Sequence, residues 1–307
     1  MKKILIPIMI IMMIFGSACS QNSTKPSKDT SKEAETITYK SENGPIKVPA
    51  HPKRIVALNG STSGDIMKLG GNIVGVEKYS MANPLYKKYL KNATVVSDED
   101  LEKIIELKPD LIIAGSTDKN LDKLSKIAPT VSYTYNKLSY LDQVIEIGKL
   151  INKKKQAQEW VNNFKKRASD AGEKIKKKIG NTSTVTILGG DNKQLYVFGS
   201  NWGRGSEILY QAMGLKMPAK VTANALKPGY YVISSEVLPQ YIGDYLIYIK
   251  DSSADNSFQN TDTYKNIPAV KNNRVLEVDA NKFYFNDPIS LDYELDTFIN
   301  YFLGNSK

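Results

Sequence analysis

The densest concentration of ligand-binding chemistry in this chain is one loop. Residues 194–205 read Gln-Leu-Tyr-Val-Phe-Gly-Ser-Asn-Trp-Gly-Arg-Gly, setting Trp202 and Arg204 in a glycine-rich turn between a predicted strand that carries Tyr196 and a predicted helix. Glycine lets backbone approach a ligand closely. Arginine offers a rigid fork of donors that suits paired oxygen acceptors, and Trp and Tyr add apolar area with a polar handle. The plain alternative is a turn whose Trp packs in the core and whose Arg pairs with a nearby carboxylate. Gly199, Gly203 and Gly205 fit neither a dinucleotide fingerprint nor a P-loop. Two further loops cluster aromatics: Tyr133 and Tyr135 at a strand end, and Phe283-Tyr284-Phe285-Asn286-Asp287-Pro288 before the last helix. Each of the three is a strand-to-helix turn, and in α/β folds ligands gather beyond the carboxyl ends of strands. Core packing would explain each loop alone; together they point to a cleft.

Other chemistries are poorly supplied. The chain has 1 His and 1 Cys, His51 and Cys19. A Ser-His-Asp triad would have to use His51, and no nucleophile-elbow sequence accompanies it. Transition-metal sites recruit several His or Cys ligands, so the expectation is no metal site, no cofactor and no catalysis. An exported enzyme would need paired carboxylates, of which Glu236 and Asp244 are the candidates.

Cys19 lies behind Lys2-Lys3, an apolar run from Ile4 to Phe15, and Gly16-Ser17-Ala18. This is the layout of a signal peptide over 1–18, with a run too short to span a bilayer comfortably. It resembles a bacterial lipoprotein signal, although Gly16 stands where that motif usually has Leu; the alternative is an ordinary cleaved signal. The resemblance implies a lipidated Cys19 and a chain anchored on the extracytoplasmic face of the cell membrane. Residues 19–35 are polar and read as a tether. The net charge of +10 is mostly diffuse lysine, read as a solvated surface. An exported location makes nucleic acid a poor partner.

The elements that must position the loops follow from periodicity. Thr36–Tyr39 and Ile46–Val48 flank Glu42-Asn43-Gly44, a hairpin turn. Strands are then expected over 53–58, 72–76, 109–114 and 130–135, alternating with helices to about Leu69, over 98–107 with Ser97 or Asp98 as N-cap, and over 118–127. A helix over 140–151 is followed by a long amphipathic one over 153–179, interrupted only by Gly172. Beyond it come strands at 184–188, 194–198, 245–250 and 274–278, with helices at 205–213 and 288–302. The expected fold class is parallel α/β, with two lobes joined by a single long helix: lobe 36–152, interlobe helix 153–179 and lobe 180–307. A surface helix broken near Gly172 is the alternative to a strut.

A weak internal echo accompanies the lobes. Glu102 precedes Asp110-Leu111-Ile112-Ile113 by the same interval as Glu236 precedes Asp244-Tyr245-Leu246-Ile247. Each Glu falls in the first turn of a short helix, where the dipole favours it. Capping alone accounts for that; a matched pair of exposed carboxylates is the functional reading.

At this point the chain resembles a family. Lys53-Arg54-Ile55-Val56, Leu107-Lys108-Pro109-Asp110-Leu111-Ile112-Ile113, Ala128-Pro129-Thr130-Val131, Tyr135-Asn136-Lys137, Asn201 to Gly205, Leu209 to Met217 and Asn286-Asp287-Pro288 are similar to segments of the substrate-binding lipoproteins of iron-siderophore ABC importers, of the Gram-positive iron(III)-hydroxamate type. The resemblance spans essentially the whole mature chain. It implies a helical-backbone periplasmic-binding-protein-like fold with a shallow cleft between lobes. It further implies that Trp202 and Arg204, with Tyr196, Tyr135 and Tyr284, contact a ferric hydroxamate siderophore such as ferrichrome or ferrioxamine. By the same resemblance Glu102 and Glu236 dock on an ABC permease served by its ATPase, and the receptor is a monomer. Ala114-Gly115 and Tyr284-Phe285 depart from the aromatic pattern of such relatives. Catecholate siderophores, haem and cobalamin are the rival ligands within binding proteins.

Overall fold

Two runs of consecutive Ile and Val, each bounded by polar turns, fix the centre of the first sheet. In a computed structural model, which describes residues 35–191 and 194–304, these become β3 and β6. The signal segment, Cys19 and the tether up to residue 34 lie outside the described residues. A hairpin of β1 (Thr36–Ser41) and β2 (Gly44–Pro49) comes first. Next are β3 (Ile55–Ala57), α1 (Gly60–Lys68), β4 (Ile73–Val76), α2 (Lys78–Ala82), β5 (Thr94–Val95), α3 (Leu101–Glu106), β6 (Leu111–Gly115), α4 (Leu121–Leu124) and β7 (Thr130–Tyr133). The five strands β5-β4-β3-β6-β7 pair in parallel throughout. Helix α5 (Tyr140–Leu150) and α6 (Lys154–Ile179) lead to the second sheet. There the order along the chain is β8 (Val185–Gly190), β9 (Leu195–Phe198), α7 (Ala219–Ala225), β10 (Tyr230–Ile233), β11 (Tyr245–Lys250), α8 (Asp262–Lys265), α9 (Pro268–Lys271), β12 (Val275–Asp279) and α10 (Pro288–Leu303).

The second sheet has the order β10-β9-β8-β11-β12, position for position the order of the first. It is not all parallel as expected. β8, β11 and β12 are parallel, but β9 runs antiparallel to both β8 and β10. Asp191 and Gln194 close a tight connection from β8 into β9, too short for a crossover helix, so the chain must reverse. Strand β10 is an addition to the expected elements: its Tyr230, Tyr231 and Val232 are all exposed, so the segment has no apolar alternation to mark it. The expected helix over 118–127 shrinks to α4. The one expected from Ser97 or Asp98 begins at Leu101 after Asp100, because Asp98 instead accepts the backbone N–H groups of Lys119 and Asn120.

Side-chain alternation explains the interior. Ile55 and Ala57 of β3, and Leu111 and Ile113 of β6, face one cluster, while Val56, Ile112 and Ala114 face a smaller one behind. In the second sheet Val185, Ile187, Ile247 and Ile249 join the first cluster, and Leu188, Leu246 and Tyr248 face outward to their own. The inner faces of both sheets, together with Val161, Phe164 and Ile175 of α6 and Leu291, Leu295 and Phe298 of α10, therefore make one continuous core. The described residues form one compact unit, and rotating one sheet against the other would have to open that core.

Helix α6 has 26 residues, about 39 Å at 1.5 Å per residue. It does not break at Gly172. An added Cβ there would lie 2.2 Å from the Met213 carbonyl oxygen, so the glycine is where the helix meets the backbone just after the turn over Glu207–Ala212. Asp292 of α10 ties the bundle together, pairing with Lys68 of α1 at 2.8 Å and Arg167 of α6 at 2.8 Å and accepting the Trp160 indole N–H at 3.0 Å. Gly172→Ala should gain helix propensity yet lose more to the backbone clash, lowering stability by about 1–3 kcal/mol. The check is a urea unfolding midpoint, expected to fall; an unchanged or higher midpoint would show that the α6 contact relaxes freely.

Candidate functional site

Three strand-to-helix loops do meet. Leu58–Ser61 after β3, Glu77–Tyr79 after β4 and Val95–Ser97 after β5 form one wall of a cavity of about 730 Å³. The opposite wall is Trp202–Arg204 and Tyr284–Asn286, with Tyr135 alongside. The cavity thus lies between the two sheets at the carboxyl ends of first-sheet strands.

The Arg204 loop is held by its backbone. Gly203, Arg204 and Gly205 adopt φ of 68°, 61° and 78°, three left-handed residues in a row. A Cβ on Gly203 would sit 2.8 Å from the Tyr284 carbonyl oxygen, and one on Gly205 2.5 Å from the Phe298 ring. The flanking positions therefore have to be glycine. The arginine between them accepts a conformation that costs an L-residue roughly 1 kcal/mol, the kind of strain that collects at functional sites. The helix expected over 205–213 is a wide π-turn over Glu207–Ala212.

Aromatic rings continue from one wall to the other. Tyr79 stacks on Tyr284 (centroids 5.8 Å apart, planes 5°), and the Arg204 guanidinium lies 4.9 Å from the Tyr284 ring and 4.8 Å from the Phe198 ring. Trp202 meets Tyr135 edge-on at 5.7 Å and Tyr230 at 4.9 Å. Arg204 Nη1 donates to the Trp202 carbonyl at 3.0 Å, which fixes the side chain, and the guanidinium also meets the Tyr284 hydroxyl. Burial lowers the Arg204 pKa from its ordinary value, opposed by Tyr284, Tyr135 and Glu207. Burial pushes the Tyr135 hydroxyl up to about 12, so it remains a donor.

Of the residues singled out in the sequence, Trp202, Arg204, Tyr135 and Tyr284 are brought together, and Tyr196 is not. Its hydroxyl donates to Asp191 at 3.1 Å and its ring meets Tyr230, outside the cavity lining. Tyr196 and Phe198 share one face of β9 and stack on each other (centroids 6.4 Å apart), so position along the strand separates them: Phe198, nearer the loop, is the ring that reaches Arg204. Tyr79 and Glu77 give no signal beyond residue type, since only the packing of α2 places them in the lining; Tyr230 of β10 backs Trp202 from outside it.

Below the cavity lie four buried carboxyl groups: Asp65, Glu207, Asp287 and Glu294. Asp287 caps α10 with donors from Ile289 N–H (2.9 Å) and Ser290 Oγ (2.7 Å), and the Tyr86 hydroxyl donates to it from the first sheet's side. Glu207 accepts from Gly203 N–H, Ser206 Oγ and Asn286 Nδ2, each at 3.0 Å. Among the described residues, Asp65 accepts from Gln143 at 2.9 Å through one oxygen only, and neither oxygen of Glu294 has a partner. Burial raises all four, and pushes Asp65 and Glu294 well above the usual carboxylate range.

Glu102 and Glu236 are both exposed, each in the first turn of a short helix, α3 and a 3₁₀ turn over Ser235–Gln240. The echo has a structural half. Asp110 accepts the N–H groups of Lys53 and Arg54 at the start of β3, and Asp244 accepts the N–H and hydroxyl of Thr184 at the start of β8. The aspartates are thus committed to matching positions in the two sheets, while neither glutamate bonds to another element among the described residues. His51 is exposed, 3.4 Å from Asn152 Nδ2. Among the described residues no group of three or more His, Cys, Asp or Glu could hold a metal ion.

The model of a family described as periplasmic binding protein matches residues 55–282. The chain belongs to that family. Among curated proteins it is 39% identical over 287 residues to the iron(3+)-hydroxamate-binding protein FhuD of Bacillus subtilis (strain 168), covering 91% of each chain. It is 37% identical over 310 residues to that organism's iron(3+)-hydroxamate-binding protein YxeB, covering 96% of this chain and 95% of that one. Among solved structures, FhuD2 from Staphylococcus aureus with bound ferrioxamine B matches with a TM-score of 0.78 and 35% identity, covering 83% of this chain and 100% of that one. Members of the family named in these comparisons are substrate-binding proteins, and the helical-backbone fold expected from the sequence is theirs.

The unpartnered Glu294 makes stability pH-dependent in a defined direction. Its proton is held more tightly in the folded chain than in the unfolded one, so its contribution is present at low pH and lost as pH climbs above the unfolded value near 4.5. Glu294→Gln should therefore melt a few degrees higher than wild type at pH 7.5, with the gap closing at pH 4. Melting curves that stay parallel across that range would show that Glu294 carries no such linkage.

Proposed function

We propose that this chain is an extracytoplasmic receptor that binds ferric hydroxamate siderophores and delivers them to an ABC permease, without turnover. The observation that carries the reading is the Arg204 fork set among Trp202, Tyr135, Tyr284 and Phe198 at a cavity of about 730 Å³. Its relatives named as hydroxamate binders support it. In a ferric trihydroxamate the six oxygens of the ligand already satisfy the iron, so the protein has no need to supply metal ligands. What it must supply is a donor for coordinated hydroxamate oxygens and aromatic surface for the chelate's apolar arms. Lys78 and Arg204 are the cations lining the cavity and Glu77 and Asp100 the carboxylates. The balance suits a chelate with no net charge at iron better than a trianionic tris-catecholate. Lipidation at Cys19 would hold the receptor at the membrane. Exposed Glu102 and Glu236, at corresponding places beside the two sheets, would dock it on basic groups of the permease.

A soluble chain starting at Ser20, titrated with ferrichrome or ferrioxamine B, should show saturable quenching of tryptophan emission. The chain has 2 tryptophans, Trp160 and Trp202, and the quenching should largely vanish in Trp202→Phe. Arg204→Ala should weaken binding by about 1.5–3 kcal/mol, the worth of a charge-assisted hydrogen bond; an unchanged Kd removes Arg204 from the site. Absence of quenching by either chelate, with the chain shown to be folded, would turn the reading toward haem, cobalamin or catecholates. In cells, the double variant Glu102→Ala/Glu236→Ala should bind normally but take up iron chelate more slowly, and normal uptake would sink the docking role.

A further inference from the structure

We propose that Glu207 is a specificity-determining residue: its buried carboxylate is the fixed counter-charge to Arg204, making the Arg204 end of the cavity electrically neutral so that it accepts neutral ferric chelates and turns away polyanionic ones. This rests on the reading of the cavity as a siderophore site and adds to it the residue that sets the charge class of the chelate.

Glu207 is 2% exposed and follows Arg204 by three positions in the same turn. Three donors converge on it at 3.0 Å each, and two of them, the Gly203 N–H and the Asn286 amide, belong to residues that line the cavity. Donors in that number favour the ionised form of a carboxylate. Glu294, just as buried, has no donor among the described residues, and burial pushes it well above the usual carboxylate range. The placement also matters. Among the described residues, none of the ion pairs involves Arg204, whose Nη1 is instead held by the Trp202 carbonyl. A carboxylate in direct contact would occupy the guanidinium fork. One held behind the loop by its own donors leaves the fork open to ligand oxygens and still cancels much of its field, because charges in a dry interior are weakly screened. The wall across the cavity does not play this part: Lys78 is exposed, Asp100 sits beside Lys103 at the solvent edge where water screens it, and the Glu77 carboxylate is taken up capping α2 through the N–H groups of Tyr79 and Ser80. A neutral trihydroxamate thus receives hydrogen bonds from Arg204 at no electrostatic cost. A tris-catecholate carrying three negative charges meets no net attraction to offset its desolvation.

The test compares Kd for ferrichrome, a neutral chelate, with Kd for ferric enterobactin, a trianion, by fluorescence quenching of the chain from Ser20. In Glu207→Gln the ratio of the two affinities should move toward the trianion by about tenfold or more, the size expected when a buried unit charge is removed near the ligand. Glu207→Met, which also removes the charge, should move it the same way and is read in its place if the amide variant does not give a cooperative urea transition. Glu294→Gln, which alters a buried carboxyl that has no donor among the described residues and that burial pushes toward its protonated form, should leave the ratio at the wild-type value. A ratio changed less than twofold in a folded Glu207 variant overturns the proposal, as does an equal shift in Glu294→Gln. Failure of wild type to bind ferrichrome would instead bring down the siderophore reading itself, a result distinct from binding with an unmoved ratio.

Discussion

The buried carboxylate of Asp287 is the joint on which the rest of the structure turns. It caps α10 through backbone N–H groups, takes the hydroxyl of Ser290 from its own helix and takes the hydroxyl of Tyr86 from the other side of the molecule. Gly64 of α1 passes so close that an added Cβ would lie 1.7 Å from a carboxylate oxygen. One side chain therefore starts the last helix, fixes its distance from α1 and ends the aromatic loop that forms a cavity wall. A buried carboxylate is tolerable only when its acceptor positions are filled, so the elements around Asp287 have little freedom to move independently.

That constraint bears on how such a receptor works. The inner faces of both sheets share one apolar core with α6 and α10, and Asp292 adds ion pairs to α1 and α6. Closing the cleft by a hinge would break close-packed contacts along the whole joint. The cavity is instead largely pre-formed, with its arginine locked by flanking glycines and a backbone carbonyl. Recognition then depends on what the walls already present: an open guanidinium fork, a run of rings, and charges arranged before the ligand arrives.

The two halves are built on the same strand order with different connections. Asp110 and Asp244 secure the first central strand of each sheet in the same way. The Glu-to-Asp spacing that recurs in the sequence is therefore explained half by architecture. The aspartate is structural, and the exposed glutamate is left over from that explanation. The pairing directions diverge where one tight reversal carries β8 into β9 in place of a helical crossover; β10, antiparallel to β9, then sets Tyr230 against Trp202.

Much of this was written locally. Near-continuous apolar runs determine the strands around Ile55, Ile112, Ile187 and Ile247, because a strand buried on both faces has little place for polar side chains. The spacing of Ala157, Val161, Phe164, Ala168 and Ile175 determines α6 as one amphipathic helix, and Asp287-Pro288 determines where α10 starts. The same residues and motifs carried the resemblance to iron-hydroxamate receptors. Tertiary structure alone decided which side chains share the cavity. Tyr196 and Phe198 look equivalent in sequence and share a strand face, yet only Phe198, nearer the loop, meets the Arg204 guanidinium. Tyr79 joins Tyr284 because α2 and the loop before α10 meet across the cleft. Glu207 and Glu294 are ordinary helix residues until burial and the presence or absence of donors separate them. Local sequence specifies periodicity and turns, which are short-range properties of the backbone. The charge state and neighbours of a side chain are set by distant segments packed against it.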